Sequence, residues 1–282
     1  MEAAEYWYTS SDGLKLFSAV FPGPSPSSPT VLCLHGLLRN SRDFEELAPH
    51  IATRFRVVVP DIRGRGLSDR DPNSDNYQLS VYIADLLQLL RGLAAPHVAI
   101  IGTSMGGLIA MLMATMHPGL VSRIVLNDVG PEIDPTGLER IRNYAGRSVP
   151  VHTWEEAIVQ LRGIFGAAWP GLTAERWQQL VRRAYRADIT GLLRADADPA
   201  IGDVIRNSSG AAPDLWPLWR TLINTPILVL RGALSDVLSE KTLARMQQDK
   251  PDLRTVIVSS RGHVPLLDEP EVLSAIDTFL AD

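Results

Sequence analysis

A chain of 282 residues, 45% apolar and 21% charged, is long enough for one large domain, or for one domain carrying a sizeable insertion around a substantial core. Its formal net charge of −5 is spread along the sequence, which argues against a nucleic-acid surface and against a basic membrane patch. No apolar run reaches the roughly 20 residues of a membrane span, no basic-then-apolar leader is read at the N-terminus, and the lone Cys33 excludes an internal disulfide, so a cytoplasmic protein with a buried thiol is expected.

In chain order, "E-Y-W-Y-T" and "L-K-L-F-S-A-V" flank Ser11-Asp12-Gly13 and predict an antiparallel hairpin. "P-G-P-S-P-S-S-P" (residues 22 to 29) predicts a stiff surface loop. The rhythm then changes. "T-V-L-C-L-H", "R-V-V-V-P", "V-A-I-I-G-T" and "R-I-V-L-N" are continuous apolar runs, as parallel strands buried on both faces require. Between them lie helical patterns, one over residues 78 to 93 with Leu79, Ile83, Leu86, Leu87 and Leu90 on one face. Another spans 105 to 117 and is ended by "H-P-G". "P-I-L-V-L-R" at 226 and "R-T-V-I-V" at 254 add two late strands, with helices starting near Ser239 and Pro270. This alternation predicts an α/β fold, a mostly parallel sheet with helices on both faces.

Between roughly 131 and 222 no strand pattern appears. A capping box at Thr153 and Glu156, and an apolar face of Trp177, Leu180, Val181, Ala184 and Tyr185, predict helices. The expected organisation is therefore a core of residues 1–130 and 223–282, with a helical lid at 131–222 over the sheet edge where such folds bind ligands. Arg182, Arg183 and Arg186 are expected on a solvated outer surface of that lid, although its eight arginines against four glutamates between Leu138 and Arg186 would also attract carboxylates. Trp154, Trp169, Trp177, Trp216 and Trp219 are read as lid core or as pocket lining.

"I-G-T-S-M-G-G" (101 to 107) places a serine where a strand ends and a helix begins. Gly102 and Gly106 permit a tight turn that exposes Ser104, and Gly107 lets the helix approach the strand. A serine hydroxyl needs a base and donors for the oxyanion it creates. Among six histidines, His50, His97 and His152 fall at polar element edges, and His117 lies at the far end of the serine's helix. His35 and His263 remain, each just after a strand. His35 precedes a Gly36-Leu37 turn able to supply an oxyanion N–H from Leu37, which leaves His263 in "R-G-H-V-P" as the base. Two acids follow suitable strands. Asp236 is favoured because its loop adjoins that of His263, with Asp128 the alternative acid or a shaper of the pocket floor.

Taken together, "H-G-L-L", "D-I-R-G-R-G-L-S-D", "G-T-S-M-G-G", "L-R-G-A-L-S-D" and "G-H-V-P-L-L-D-E-P" resemble the α/β-hydrolase family over essentially the whole chain. The resemblance implies Ser104 as nucleophile, His263 as base and then acid, Asp236 as the orienting acid, and Leu37 and Met105 as oxyanion N–H donors. Asp61, Arg63 and Ser68 would brace a loop. A serine at the elbow sets the chain apart from relatives that use an aspartate there. The implied activity is cleavage of carboxylic esters or lactones through an acyl-enzyme. Carbon–carbon bond hydrolysis of ring-cleavage products, ligand reception without turnover and acyl transfer are the alternatives. A small ester-like molecule is the expected partner. No metal or organic cofactor is implied.

Overall fold

The computed structural model describes residues 2–207 and 214–282. A hairpin opens the chain, β1 (Ala4–Thr9) pairing antiparallel with β2 (Lys15–Phe21). Then come β3 (Thr30–Leu34), α1 (Leu47–Ile51), β4 (Arg56–Asp61), α2 (Leu79–Gly92), β5 (Val98–Thr103), α3 (Met105–Met116) and β6 (Val121–Asn127). Next are α4 (Pro135–Tyr144), α5 (Trp154–Phe165), α6 (Ala174–Ala184), β7 (Tyr185–Ala187), β8 (Leu193–Ala195), α7 (Pro199–Asn207) and α8 (Trp216–Thr221). The chain closes with β9 (Ile227–Gly232), α9 (Glu240–Asp249), β10 (Arg254–Val258) and α10 (Pro270–Ala281). No described helix is long and apolar enough to cross a membrane.

Eight strands form one sheet in the order β1-β2-β4-β3-β5-β6-β9-β10, antiparallel only at β1, β2 and the β2–β4 pairing. The inner strands are buried along their whole length, because helices cover both faces. On one face α2, α3 and α8 pack around Leu86, Ile109 and Trp219; on the other, α1 and α10 close over Phe44, Ile51 and Phe279. Cys33 lies in the second layer, and burial pushes its thiol well above the ordinary value.

β6 and β9 are neighbours in the sheet, so everything from α4 to α8 is inserted between two adjacent strands. Part of it has its own apolar cluster, with Leu161, Trp169, Trp177, Leu180 and Tyr185 at its centre. Residues 208–213 of the predicted helical segment lie outside the described residues. The insertion is not purely helical, as β7 and β8 form a short antiparallel hairpin. Strands of three residues are too short to show a period, and Tyr185, expected as the last residue of a helix face, instead begins β7.

Candidate active site

Three strand ends deliver the site. β5 ends at Thr103, and Ser104 follows with φ 51° and ψ −111°, a left-handed, strained conformation, before α3 begins at Met105. The surrounding glycines are a steric necessity. A Cβ on Gly102 would lie 2.4 Å from the Gly106 carbonyl oxygen, and one on Gly106 would lie 2.2 Å from that of Leu34. The turn therefore packs against β3 with no room for a side chain and leaves the Ser104 hydroxyl half-buried at the sheet's edge.

His263, from the loop after β10, brings Nε2 to 2.9 Å from Ser104 Oγ, while its Nδ1 lies 2.8 Å from Asp128 Oδ2. Asp128 follows β6 in a left-handed conformation (φ 58°) and is fully buried. The Gly232 N–H donates to its Oδ1 at 2.8 Å, and the Ser235 hydroxyl donates to its Oδ2 at 2.6 Å. An acceptor-only carboxylate at Nδ1 places the proton of a neutral imidazole there, and the Nε2 lone pair then faces Ser104.

The acid favoured from the sequence is not in this chain of hydrogen bonds. Asp236 turns to α4 and forms a bidentate ion pair with Arg140, Nη2 to Oδ1 at 2.8 Å. Burial works to raise its carboxyl, but Arg140 outweighs it and holds the group below the usual carboxylate range. The loops do adjoin, as expected: the Leu234 N–H donates to the Arg261 carbonyl at 2.8 Å. The residue that points inward from that loop is Ser235, one position earlier. Its hydroxyl also accepts from the Val237 and Leu238 N–H groups, which fixes the turn.

Leu37 and Met105 flank the serine from β3 and α3. Met105 opens its helix, so its N–H has no intrahelical acceptor, and the Leu37 N–H has no acceptor among the described residues. Behind them sits Arg65, a buried guanidinium whose role no local sequence pattern announces. Its Nε donates to the Leu37 carbonyl at 2.9 Å, Nη2 reaches the Met105 sulfur at 3.8 Å, and Tyr82 lies 4.8 Å beneath it. His35 is sealed off completely. Its Nε2 accepts the Ile62 N–H at 3.1 Å and its Nδ1 donates to the Gly36 carbonyl at 2.7 Å, so it braces the turn that presents Leu37. Burial lowers its pKa to about 4.

The other motif residues have separate tasks. Asp61 accepts from the Ser41 and Leu67 N–H groups, Ser68 donates to the Asp61 carbonyl, and Arg63 is buried among Asp12, Asp71 and Asp85; all three brace loops, away from Ser104. His50, His97 and His152 are exposed, and His117 caps the C-terminal end of α3. Among the described residues no group of three His, Cys, Asp or Glu side chains converges as a metal would require.

A cavity of about 300 Å³ opens over Ser104 and His263, walled by the core on one side and by the inserted segment on the other. Of the five tryptophans between residues 131 and 222 only Trp169 lines it, and its indole N–H donates to the Val264 carbonyl at 2.7 Å beside His263. Trp177 belongs to the insertion's own cluster, with Trp154 packed against it, while Trp216 and Trp219 sit in the main core. Arg183, expected at the outer surface, is buried and paired with Glu45 and Glu46, while Arg182 and Arg186 are exposed. The insertion is thereby tied to the segment leading into α1.

The fold and this strand-end arrangement define a class: the chain belongs to the α/β-hydrolase family. Residues 29–155 match the family model for the alpha/beta hydrolase fold. The chain is 35% identical, over 263 residues covering 90% of it and 89% of the relative, to a 3-hydroxybutyrate-oligomer hydrolase of Cupriavidus necator. It is 29% identical to a 2-(acetamidomethylene)succinate hydrolase of Mesorhizobium japonicum over 90% of this chain and 88% of that one. Among solved structures, an alpha/beta hydrolase from Novosphingobium aromaticivorans superposes with a TM-score of 0.94 at 41% identity, over 99% of this chain and 98% of the other.

Proposed function

We propose that this protein is a serine hydrolase that cleaves carboxylic esters or lactones through an acyl-enzyme. The observation that carries the proposal is the unbroken Asp128–His263–Ser104 hydrogen-bond chain at the floor of a cavity, with two free backbone N–H groups beside it. His263 Nε2 takes the Ser104 proton as Oγ attacks the ester carbonyl carbon. The carbonyl oxygen, now anionic, rests on the Leu37 and Met105 N–H groups. As the tetrahedral centre collapses, the bond to the alcohol breaks and His263 gives its proton to the departing oxygen. Water, deprotonated by the same nitrogen, then attacks the acyl-enzyme, and the acid leaves as Ser104 recovers its proton. Asp128 holds the imidazole in the required tautomer and stabilises the imidazolium. The inserted segment acts as a lid that encloses the acyl or alcohol group and excludes bulk water.

The likeness to an oligomer hydrolase of a hydroxy acid supports ester cleavage, and a serine rather than an aspartate at the turn supports an acyl-enzyme. A panel of short-chain esters, lactones, amides and vinylogous diketo acids tests the reading. Ester or lactone turnover should be the fastest and should fall by several orders of magnitude in Ser104→Ala. Unchanged turnover in that variant, or faster cleavage of diketo acids than of any ester, contradicts it.

A further inference from the structure

We infer that the cavity is built for an ester that carries a free carboxylate, and that Arg39 is the residue that binds it. This rests on the ester-hydrolase reading for what happens to the ligand, but not for whether it binds. Arg39 lies two residues beyond Leu37, and its stem lies against the backbone beside it: a Cβ placed on Gly36 would be 3.5 Å from Arg39 Cγ. Its side chain is 14% exposed and lines the cavity that holds Ser104.

A guanidinium presents two edges that a carboxylate can grip. Asp43 occupies one: Nε donates to Oδ2 at 2.9 Å and to Oδ1 at 3.1 Å, and Nη2 donates to Oδ1 at 2.5 Å. The edge formed by Nη1 and the second Nη2 hydrogen is unused. Nη1 has no acceptor among the described residues and is not sealed from solvent. It therefore opens on the cavity as a fixed pair of donors, held in orientation by Asp43 and awaiting an acceptor. Asp43 positions the group without using up its capacity.

The surroundings favour an anion. Four arginines line the cavity (39, 70, 183 and 194) against Asp43 and Asp198; Arg183 and Arg194 are paired with Glu45, Glu46 and Asp188, which leaves Arg39 and Arg70 with charge to offer a ligand. Arg70, at an exposed position, has no carboxylate partner among the described residues, and it adds positive charge where a ligand enters. Ile141, Phe165, Leu180 and Leu266 give the cavity largely apolar walls, so a charge-assisted hydrogen bond formed inside it is weakly screened. Two residues of chain hold the Arg39 and Leu37 Cα atoms within about 7 Å, which keeps a bound carboxylate and the scissile carbonyl within one small ligand. Half-esters of short dicarboxylic acids and acylated short hydroxy acids meet that description, with the charge in the acyl part or in the alcohol part respectively.

Two substrate pairs separate these sources: monomethyl against dimethyl glutarate, and 3-acetoxybutanoate against its methyl ester. The wild-type protein should prefer the acid in at least one pair, as judged by kcat/KM. Arg39→Met should lower that preference by about 10- to 100-fold. Arg39→Lys, which keeps the charge but lacks the second donor edge, should fall between them. Thermal denaturation of each variant keeps loss of folding apart from loss of recognition. A preference for the neutral ester in both pairs, or a preference that Arg39→Met and Arg39→Lys leave in place, overturns the inference. Binding supplies a readout that needs no turnover. Glutarate titrated calorimetrically into Ser104→Ala should bind, and Arg39→Met in that background should weaken it about 10-fold or more. Arg39-dependent glutarate binding without hydrolysis of any ester would sustain the carboxylate site and sink the hydrolase reading. Ester turnover with no glutarate binding would do the reverse.

Discussion

Asp128 accepts from three donors, and they divide into two jobs. The Gly232 N–H and the Ser235 hydroxyl fix the carboxylate, and the His263 Nδ1–H is what it in turn fixes. Ser235→Ala removes one donor to a buried carboxylate. A hydrogen bond to a charged group contributes about 1.5–3 kcal/mol, so kcat for ester hydrolysis should fall by roughly 10- to 100-fold. A loss of that size with KM little changed fits a group acting through Asp128, while full activity would show that Ser235 is a bystander. The identity of the acid was the least legible feature of the site. Asp128 and Asp236 both follow sheet strands, both stand between Ser104 and His263 in the chain, and both occupy loops near the histidine. What separates them is which side chain of one turn points inward, and that depends on Arg140, 96 positions away, drawing Asp236 outward. The meeting of Ser104 with His263 was legible because each is bound to a local pattern, a glycine-flanked turn or a strand end, that no distant partner needs to complete.

Among the elements, the passage from β5 to α3 is the most constrained. The Cβ of Gly106→Ala would have to displace the Leu34 carbonyl in β3, 2.2 Å away, so the helix must back off the sheet. Overpacking of this kind costs about 1–3 kcal/mol, enough to lower Tm by several degrees, and it moves Ser104 with the helix. Gly163→Ala in α5 is the matched comparison: its Cβ meets nothing within 4 Å, and alanine there should hold or raise stability. Thermal denaturation and ester turnover of the two variants should diverge; a Gly106→Ala protein as stable and active as the parent would remove the packing argument. The core strands and helices were readable because burial on both faces writes an unbroken apolar run, and burial on one face writes a helical period. The β7–β8 hairpin writes neither. Arg183 departs from its expected place for a related reason. It lies off the apolar face of α6 and is buried by Glu45 and Glu46, which belong to another part of the chain, so no periodicity within the helix reveals it.

At the scale of the whole molecule, the insertion between neighbouring strands β6 and β9 supplies one wall of the cavity over Ser104. Its position between two sheet strands was legible from chain order alone. The cavity's shape and charge were not, because they come from side chains of the core and the insertion meeting across space. The integrity of the core is itself pH-sensitive through His35. Burial lowers its pKa from 6.5 to about 4, so between those values the unfolded chain binds a proton that the folded one does not. Stability is therefore retained above pH 6.5 and lost as pH falls toward 4, by about 3 kcal/mol from this group. In His35→Asn, which cannot titrate, the stability-versus-pH curve from denaturant unfolding should be flatter over that window by about this amount. An unaltered slope would mean that other groups carry the acid response.

Turnover by this scheme depends most on a single path for the proton, from Ser104 to an imidazole held by Asp128. The most direct measurement compares kcat of Asp128→Asn and Asp236→Asn on one short-chain chromogenic ester, with folding checked for both. Asp128→Asn should lose about 10⁴-fold, as expected when the imidazole is left in the wrong tautomer, and Asp236→Asn should stay within about 10-fold of the parent. The opposite order, with Asp236→Asn crippled and Asp128→Asn active, would contradict that path.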